Sequence, residues 1–106
     1  MLPPYQQNQI RYYVDWESLF ESSDVRIMVY LSDSANHEAR YSEILKNVIH
    51  ARSVLSQALR DLMRRGIIER KVESTFPIQT RYHLSDKGLR VLHLVLNLQK
   101  ALAAKT

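Results

Sequence analysis

Residues 51–66 read ARSVLSQALRDLMRRG. On a helical wheel at about 100° per residue with Ser53 at the origin, Ser56, Gln57, Arg60 and Arg64 all fall within about 60° of it. Ala51, Val54, Leu55, Ala58, Leu59 and Leu62 occupy the opposite arc. A helix built this way lays its aliphatic face on a core and turns a narrow stripe of serine, glutamine and arginine outward. Gly66 ends it. Glycine tolerates the left-handed turn that closes a helix, and the preceding Arg64-Arg65 pair suits the negative end of the helix dipole.

Downstream the period changes from that of a helix to that of a strand. Ile78, Thr80, Tyr82 and Leu84 alternate with Gln79, Arg81 and His83, and Ile68 and Val72 alternate with Glu69, Lys71 and Glu73. Each strand thus has one apolar and one polar face. Phe76 and Ile78 are expected to pack, and Arg70, on the face of Ile68 and Val72, to run its stem over the core. The connection Ser74-Thr75-Phe76-Pro77 is too long for a two-residue hairpin and predicts a protruding loop. Ser85 then caps a helix running to about Ala103.

Upstream, Ser42 is the expected cap of a short helix over Glu43 to Val48. Ser23 is the expected cap of a helix from Asp24 to Leu31, whose Val25, Ile27, Met28, Val29 and Leu31 predict deep burial. Tyr12, Tyr13, Trp16, Leu19 and Phe20 recur at helical spacing and predict a further amphipathic helix ending near Ser22-Ser23. Residues 1–9, MLPPYQQNQ, predict a flexible arm, which leaves 10–106 as one domain. The fold class is therefore mainly α with a small antiparallel β-hairpin. Two adjacent helices followed by a basic hairpin are the parts of a winged helix-turn-helix, here with extra helices at both ends.

Composition narrows the function classes. The 106 residues suffice for one modest core, and 45% hydrophobic content argues against global disorder. With two glycines, a glycine-rich phosphate cradle is not available. With no cysteine, neither are a disulfide framework, a thiol nucleophile, a thiol switch or cysteine-ligated zinc. Residues 1–50 carry four Lys and Arg against seven Asp and Glu, residues 51–81 seven against three, and residues 82–106 four against one. Positive charge gathered in a contiguous segment suits a polyanion, although a solvated basic face has the same composition. The N-terminus lacks the pattern of a signal peptide, and charged and polar residues interrupt the apolar run from Leu89 to Ala104. The expectation is a cytoplasmic protein with no membrane partner.

Three segments carry a family resemblance: RYSEILK at 40–46, SVLSQALRDLMRRGIIERK at 53–71 and RYHLSDKG at 81–88. They resemble the first helix of the motif, the recognition helix leading into the wing, and the strand-to-helix closure of HxlR-like winged-helix transcription regulators in the MarR and ArsR superfamily. The matching region, Arg40 to Leu92, covers about half the chain. The turn NVIHARS departs from the pattern in having no glycine, and the N-terminal cysteine of HxlR relatives is absent, so thiol-based sensing does not carry over.

What the resemblance implies is a homodimeric regulator of double-stranded DNA. An α-helix fits the major groove, so the exposed stripe supplies Ser53, Ser56, Gln57 and Arg60 for base edges, with Arg52 and Arg64 for bases or phosphate. On the wing, Lys71, Ser74, Thr75, Gln79 and Arg81 are the candidates. The apolar positions of the last helix, Leu89 to Leu102, spread over roughly two-thirds of the wheel, wider than the stripe of about 100° that one core requires. The excess predicts a dimer interface of Leu92, Val95, Leu96, Leu98 and Leu102 with Tyr12, Tyr13, Trp16 and Phe20.

Catalysis has little support. His37, His50, His83 and His93 are dispersed, without metal-ligand spacing, and no nucleophile elbow or cofactor motif occurs. No enzymatic activity, metal or cofactor is expected, and no residue singles out a small-molecule effector. Two alternatives stay open: a winged helix used for protein interaction, and a sequence-neutral architectural DNA-binding protein.

Overall fold

A computed structural model describes residues 15–74 and 76–105. The predicted arm, Tyr12, Tyr13 and Thr75 lie outside them. The elements run α1 (Trp16–Phe20), α2 (Ser23–Asp33), a 3-10 turn (Ala35–His37), β1 (Glu38–Arg40), α3 (Tyr41–Asn47), α4 (Arg52–Arg64), β2 (Ile68–Glu73), β3 (Gln79–Leu84) and α5 (Asp86–Ala103). The sheet has three strands rather than the expected two. β3 lies in the middle, antiparallel to β1 on one side and to β2 on the other.

The strand that the sequence reading missed is three residues long, too short to display alternation. It is launched by Asn36 and His37, both in the left-handed region at φ 57° and 55°. That conformation costs roughly 1–2 kcal/mol per residue outside glycine, although asparagine and histidine adopt it more readily than most. His83 donates its Nδ1–H to the Asn36 carbonyl, 3.1 Å away, and so pins this turn to β3.

Helix caps show where local sequence was misread. Ser22, not Ser23, caps α2, accepting from the Val25 amide through its Oγ. α3 begins at Tyr41, and Ser42 is inside it. The Glu43 carboxylate accepts from the Arg40 backbone N–H at 3.0 Å, half of a capping box whose other half arginine, having no acceptor, does not supply. Ser85 caps α5 as expected, accepting from Gly88 N at 3.0 Å while its own hydroxyl faces the carbonyls of Gly66 and Ile67.

One hydrophobic cluster joins these pieces. Ile27, Met28 and Leu31 of α2, Ile44 of α3, Leu55, Ala58, Leu59 and Leu62 of α4, and Ile68, Leu84 and Leu92 from the sheet and α5 all lie within it. Two apolar residues expected to be buried face water instead: Val29 on α2 and Val54 on α4. Both lie at the margin of their helix's apolar arc, where a small core offers no partner.

The joint between α4 and the wing is closely built. Gly66, at φ 70°, donates to Met63 O, and Ile67 N donates to Leu62 O, which together form a Schellman closure of α4. At Gly88 an added Cβ would sit 2.3 Å from the Ile67 carbonyl oxygen, so only glycine lets α5 approach the α4–β2 turn this closely. Lys87 Nζ donates to the Arg65 carbonyl at 2.7 Å, placing a cation at the negative end of α4.

Candidate nucleic-acid interface

α4 presents the stripe that its sequence predicts. Arg52, Ser53, Gln57, Arg60 and Arg64 are exposed, while Leu55, Ala58, Leu59 and Leu62 are buried beneath them. Ser56 is half-buried and spoken for. Its hydroxyl lies 3.1 Å from the Tyr41 hydroxyl, which also donates to the Arg52 carbonyl at 3.3 Å. Tyr41 thus ties α3 to the first turn of α4. It stands inside RYSEILK, yet nothing in its spacing marks it for this contact.

The start of α4, like that of α3, has no side-chain cap. Asp15, Ser22 and Ser85 cap α1, α2 and α5 with side-chain oxygens, but Ala51 gives α4 no side-chain cap. Arg52 then places a cation at the positive end of the helix, an arrangement that works against the dipole by a few tenths of a kcal/mol to about 1 kcal/mol. An uncapped N-terminus beside an arginine is a poor way to stabilise a helix and a good way to meet an anion.

Farther along, the stripe is hydrogen-bonded to itself. Arg60 Nη2 donates to Gln57 Oε1 at 3.0 Å, and Gln57 Nε2 donates to Asp61 Oδ1 at 3.0 Å. Arg64 Nη2 lies 3.8 Å from the same Asp61 oxygen. The stripe of serine, glutamine and arginine therefore has a carboxylate partner, because Asp61 reaches it from the helix flank. Asp61 also lines a groove of about 450 Å³ between α2 and α4, with Asp24 on the opposite wall. Burial pushes the Asp24 carboxyl above its ordinary range, and the negative charge of Asp61 adds to the effect while Arg65 opposes it.

The turn between α3 and α4 explains the missing glycine. Val48 N and Ile49 N both donate to Ile44 O, and Arg26 Nη2 of α2 donates to Val48 O at 2.8 Å. The positive-φ residues described are Asn36, His37 and Gly66, none of them in this turn, so it has no need of glycine.

The wing is organised by strand register. Arg40, Arg81 and Lys71 stand opposite one another across β1, β3 and β2 and therefore share a face. On that same face Glu38, His83 and Glu69 form the row on one flank of the cations, and Gln79 and Glu73 form the row on the other flank. Acids bracket the cations. Arg81 Nε donates to Glu73 Oε1 at 3.0 Å, and Lys71 Nζ lies 3.9 Å from Glu38 Oε2. Gln79 Oε1 accepts from Arg40 Nη2 at 2.7 Å and faces Arg81 Nη2 at 3.5 Å. Ser74 is exposed beside this row. Toward the tip, the expected packing of Phe76 and Ile78 is corrected: they are 100% and 71% exposed, and Val72 is exposed as well. The sheet has run past the edge of the core, and of the apolar positions on β2 only Ile68 remains buried.

On α5, Leu92 is 1% exposed inside the chain's own core, which corrects its assignment to an interface with a second copy. Val95, Leu96 and Leu98 are half-buried and Leu102 is exposed. Leu94, one of the apolar positions of this helix but not among the expected interface residues, is 69% exposed. Trp16 and Phe20 of α1 stack on each other with ring centroids 6.4 Å apart, and α1 buries no residue.

With this geometry in place, comparison with known proteins is informative. A profile of the HxlR-like helix-turn-helix family matches residues 24–105. The chain belongs to that family. It is a family of DNA-binding transcription regulators, not of enzymes. The HxlR-like chain also shares its fold with solved regulators. The reduced form of the transcriptional regulator YodB from B. subtilis aligns at a TM-score of 0.68 and 22% identity, over 94% of this chain and 90% of that one. AbsC, a MarR family transcriptional regulator from Streptomyces coelicolor, aligns at 0.66 and 21% identity, over 95% and 77%. A transcriptional regulator homologue from Pyrococcus horikoshii OT3 aligns at 0.64 and 20% identity, over 84% and 94%. A comparison with curated proteins gave no significant match. Among the described residues no helix is long and apolar enough to cross a membrane, and no group of three metal-ligating side chains converges.

Proposed function

We propose that this HxlR-like protein is a homodimer that binds double-stranded DNA sequence-specifically, with α4 of each copy in the major groove. The observation that carries this reading is the outward face of α4. A single helix edge exposes Ser53, Gln57, Arg60 and Arg64 above buried Leu55, Ala58, Leu59 and Leu62, and its uncapped start bears Arg52. Ser53, Gln57 and Arg60 are the base readers in this account, and Arg52 and Arg64 grip phosphate. Ser56 serves through Tyr41 to hold the helix in place. Lys71, Ser74, Thr75, Gln79 and Arg81 of the wing add backbone contacts.

The homodimer rests on apolar surface left over by the core. Leu94 and Leu102 are exposed on α5, Trp16 is exposed on α1, and leaving such area in water is unfavourable by about 25 cal/mol per Å². Val95, Leu96 and Leu98 of α5 and Phe20 of α1, all half-buried, belong to the same proposed interface, as do Tyr12 and Tyr13 on the sequence pattern. A two-fold dimer would set the two α4 helices on half-sites about one turn of DNA, roughly 34 Å, apart. The cytoplasm is the compartment this function requires.

The test is a binding titration on the best duplex selected from a randomised library and on a scrambled duplex of equal length, at several salt concentrations. A regulator of this kind shows log K falling against log salt with a slope near −0.9 per phosphate neutralised, and tighter binding to the selected duplex. Equal affinity for both duplexes would make the protein an architectural binder. Absence of binding at low salt would overturn the DNA reading and leave a protein-interaction module.

A further inference from the structure

Gln57 is held at both ends of its amide. A primary amide offers two N–H donors and a carbonyl oxygen with two lone pairs. Asp61 takes one N–H at 3.0 Å and Arg60 takes one lone pair at 3.0 Å, which leaves the amide one donor and one acceptor. Only this orientation of the amide is compatible with its neighbours. Turned over, it would set its oxygen against the Asp61 carboxylate and its NH2 against the Arg60 guanidinium. The Asp61 side chain is two-thirds covered, and Arg64 Nη2 lies 3.8 Å from its Oδ1.

We propose that Asp61 is a specificity-determining positioning residue which, through Gln57, commits one base pair of the bound DNA to adenine. The proposal rests on the role of α4 given above. Adenine shows N7, an acceptor, and the N6 amino group, a donor, in the major groove, which complements the donor and acceptor that remain on Gln57. Guanine shows two acceptors, N7 and O6. An unclamped glutamine can turn and offer both N–H groups to guanine. With one N–H tied to Asp61, Gln57 meets O6 with a carbonyl lone pair instead. A carboxylate on a DNA-facing helix is otherwise a handicap, because it repels phosphate, and the clamp gives it a purpose.

The experiment compares full-length wild type, Asp61→Ala and Asp61→Asn in selection from a randomised duplex library. Affinities are then measured for the selected duplex, for the same duplex with the Gln57-dependent adenine changed to guanine, and for a scrambled duplex. Wild type is expected to disfavour the guanine duplex by about tenfold or more. Asp61→Ala brings the two within about twofold, whereas Asp61→Asn, whose Oδ1 still accepts from Gln57, keeps most of the preference. Both variants remove a negative charge and bind scrambled DNA more tightly, so a mere charge effect moves them together. In the free protein, the side-chain NH2 resonances of Gln57 should be ordered in wild type and Asp61→Asn and averaged in Asp61→Ala. Unchanged discrimination in Asp61→Ala, or identical behaviour of the two variants, overturns the inference while leaving the DNA reading intact. No enriched duplex with wild type removes the DNA reading, and the inference with it.

Discussion

α4 and the wing carry cations in similar numbers and treat them differently. On α4, Arg60 and Arg64 sit on an exposed edge, and their partners Gln57 and Asp61 lie within one turn of the same helix. The exposed Arg64–Asp61 pair, 3.8 Å apart, is worth a few tenths of a kcal/mol and exchanges readily for a ligand. On the wing, Arg81 and Lys71 are bracketed by acids that strand register sets opposite or beside them, Glu73 and Glu38. Arg81 is thus held closely by Glu73 at 3.0 Å, whereas Lys71, half exposed and 3.9 Å from Glu38, is held loosely. What matters for a polyanion is which charges are free to leave their partners, and backbone geometry decides that.

This contrast gives a graded set of expectations. The largest effect belongs to the hidden side of α4. Leu59→Ala, at a site 2% exposed, should cost about 2–5 kcal/mol in denaturant unfolding. Its neighbour Arg60→Ala should stay within about 0.5 kcal/mol of wild type. Similar losses from both would mean that α4 is not two-faced.

The wing supplies the intermediate effect. Glu73→Gln removes the partner of Arg81 at 3.0 Å, and the freed guanidinium should tighten binding to scrambled DNA and steepen the salt slope by up to about 0.9. A slope that does not move would show that Arg81 never meets phosphate, and the wing would lose its place in the interface.

The smallest effect concerns the groove beneath Asp61. The Asp24 carboxyl is raised above its ordinary 3.8, so the folded chain holds that proton more tightly than the unfolded chain does. The stability that protonation contributes is fully present below about pH 3.8 and is lost as pH rises through the raised value. Wild-type stability minus that of Asp24→Asn should therefore decline with rising pH across that window. The difference is modest because the group is part-exposed. A difference independent of pH would contradict the raised Asp24 carboxyl and the burial that chiefly raises it.

Much of the architecture was legible in the sequence because long elements repeat their period many times. α4 and α5 were read to within a few residues, and Gly66 and Ser85 marked their ends through chemistry that hardly depends on context. The misreadings share a physical origin in information that is not local. β1 has three residues and exists only because β3 pairs with it. Val72 and Ile78 alternate correctly but lie where the sheet outruns its core. Leu92 and Leu94 are both apolar residues of α5, and only packing shows that one is core and the other surface. In the candidate site, the sequence located the stripe on α4. It did not show that Asp61 reaches into that stripe or that Tyr41 holds Ser56.

The central claim, that α4 reads bases while the wing only supports the complex, is tested most directly by one ratio. It is the affinity for the best library-selected duplex divided by that for a scrambled one, measured in the double variants Gln57→Ala/Arg60→Ala and Lys71→Ala/Arg81→Ala. The account predicts that the α4 variant loses most of the ratio, about tenfold or more, while the wing variant weakens both duplexes together and keeps it. A ratio that survives in the α4 variant and collapses in the wing variant would contradict it.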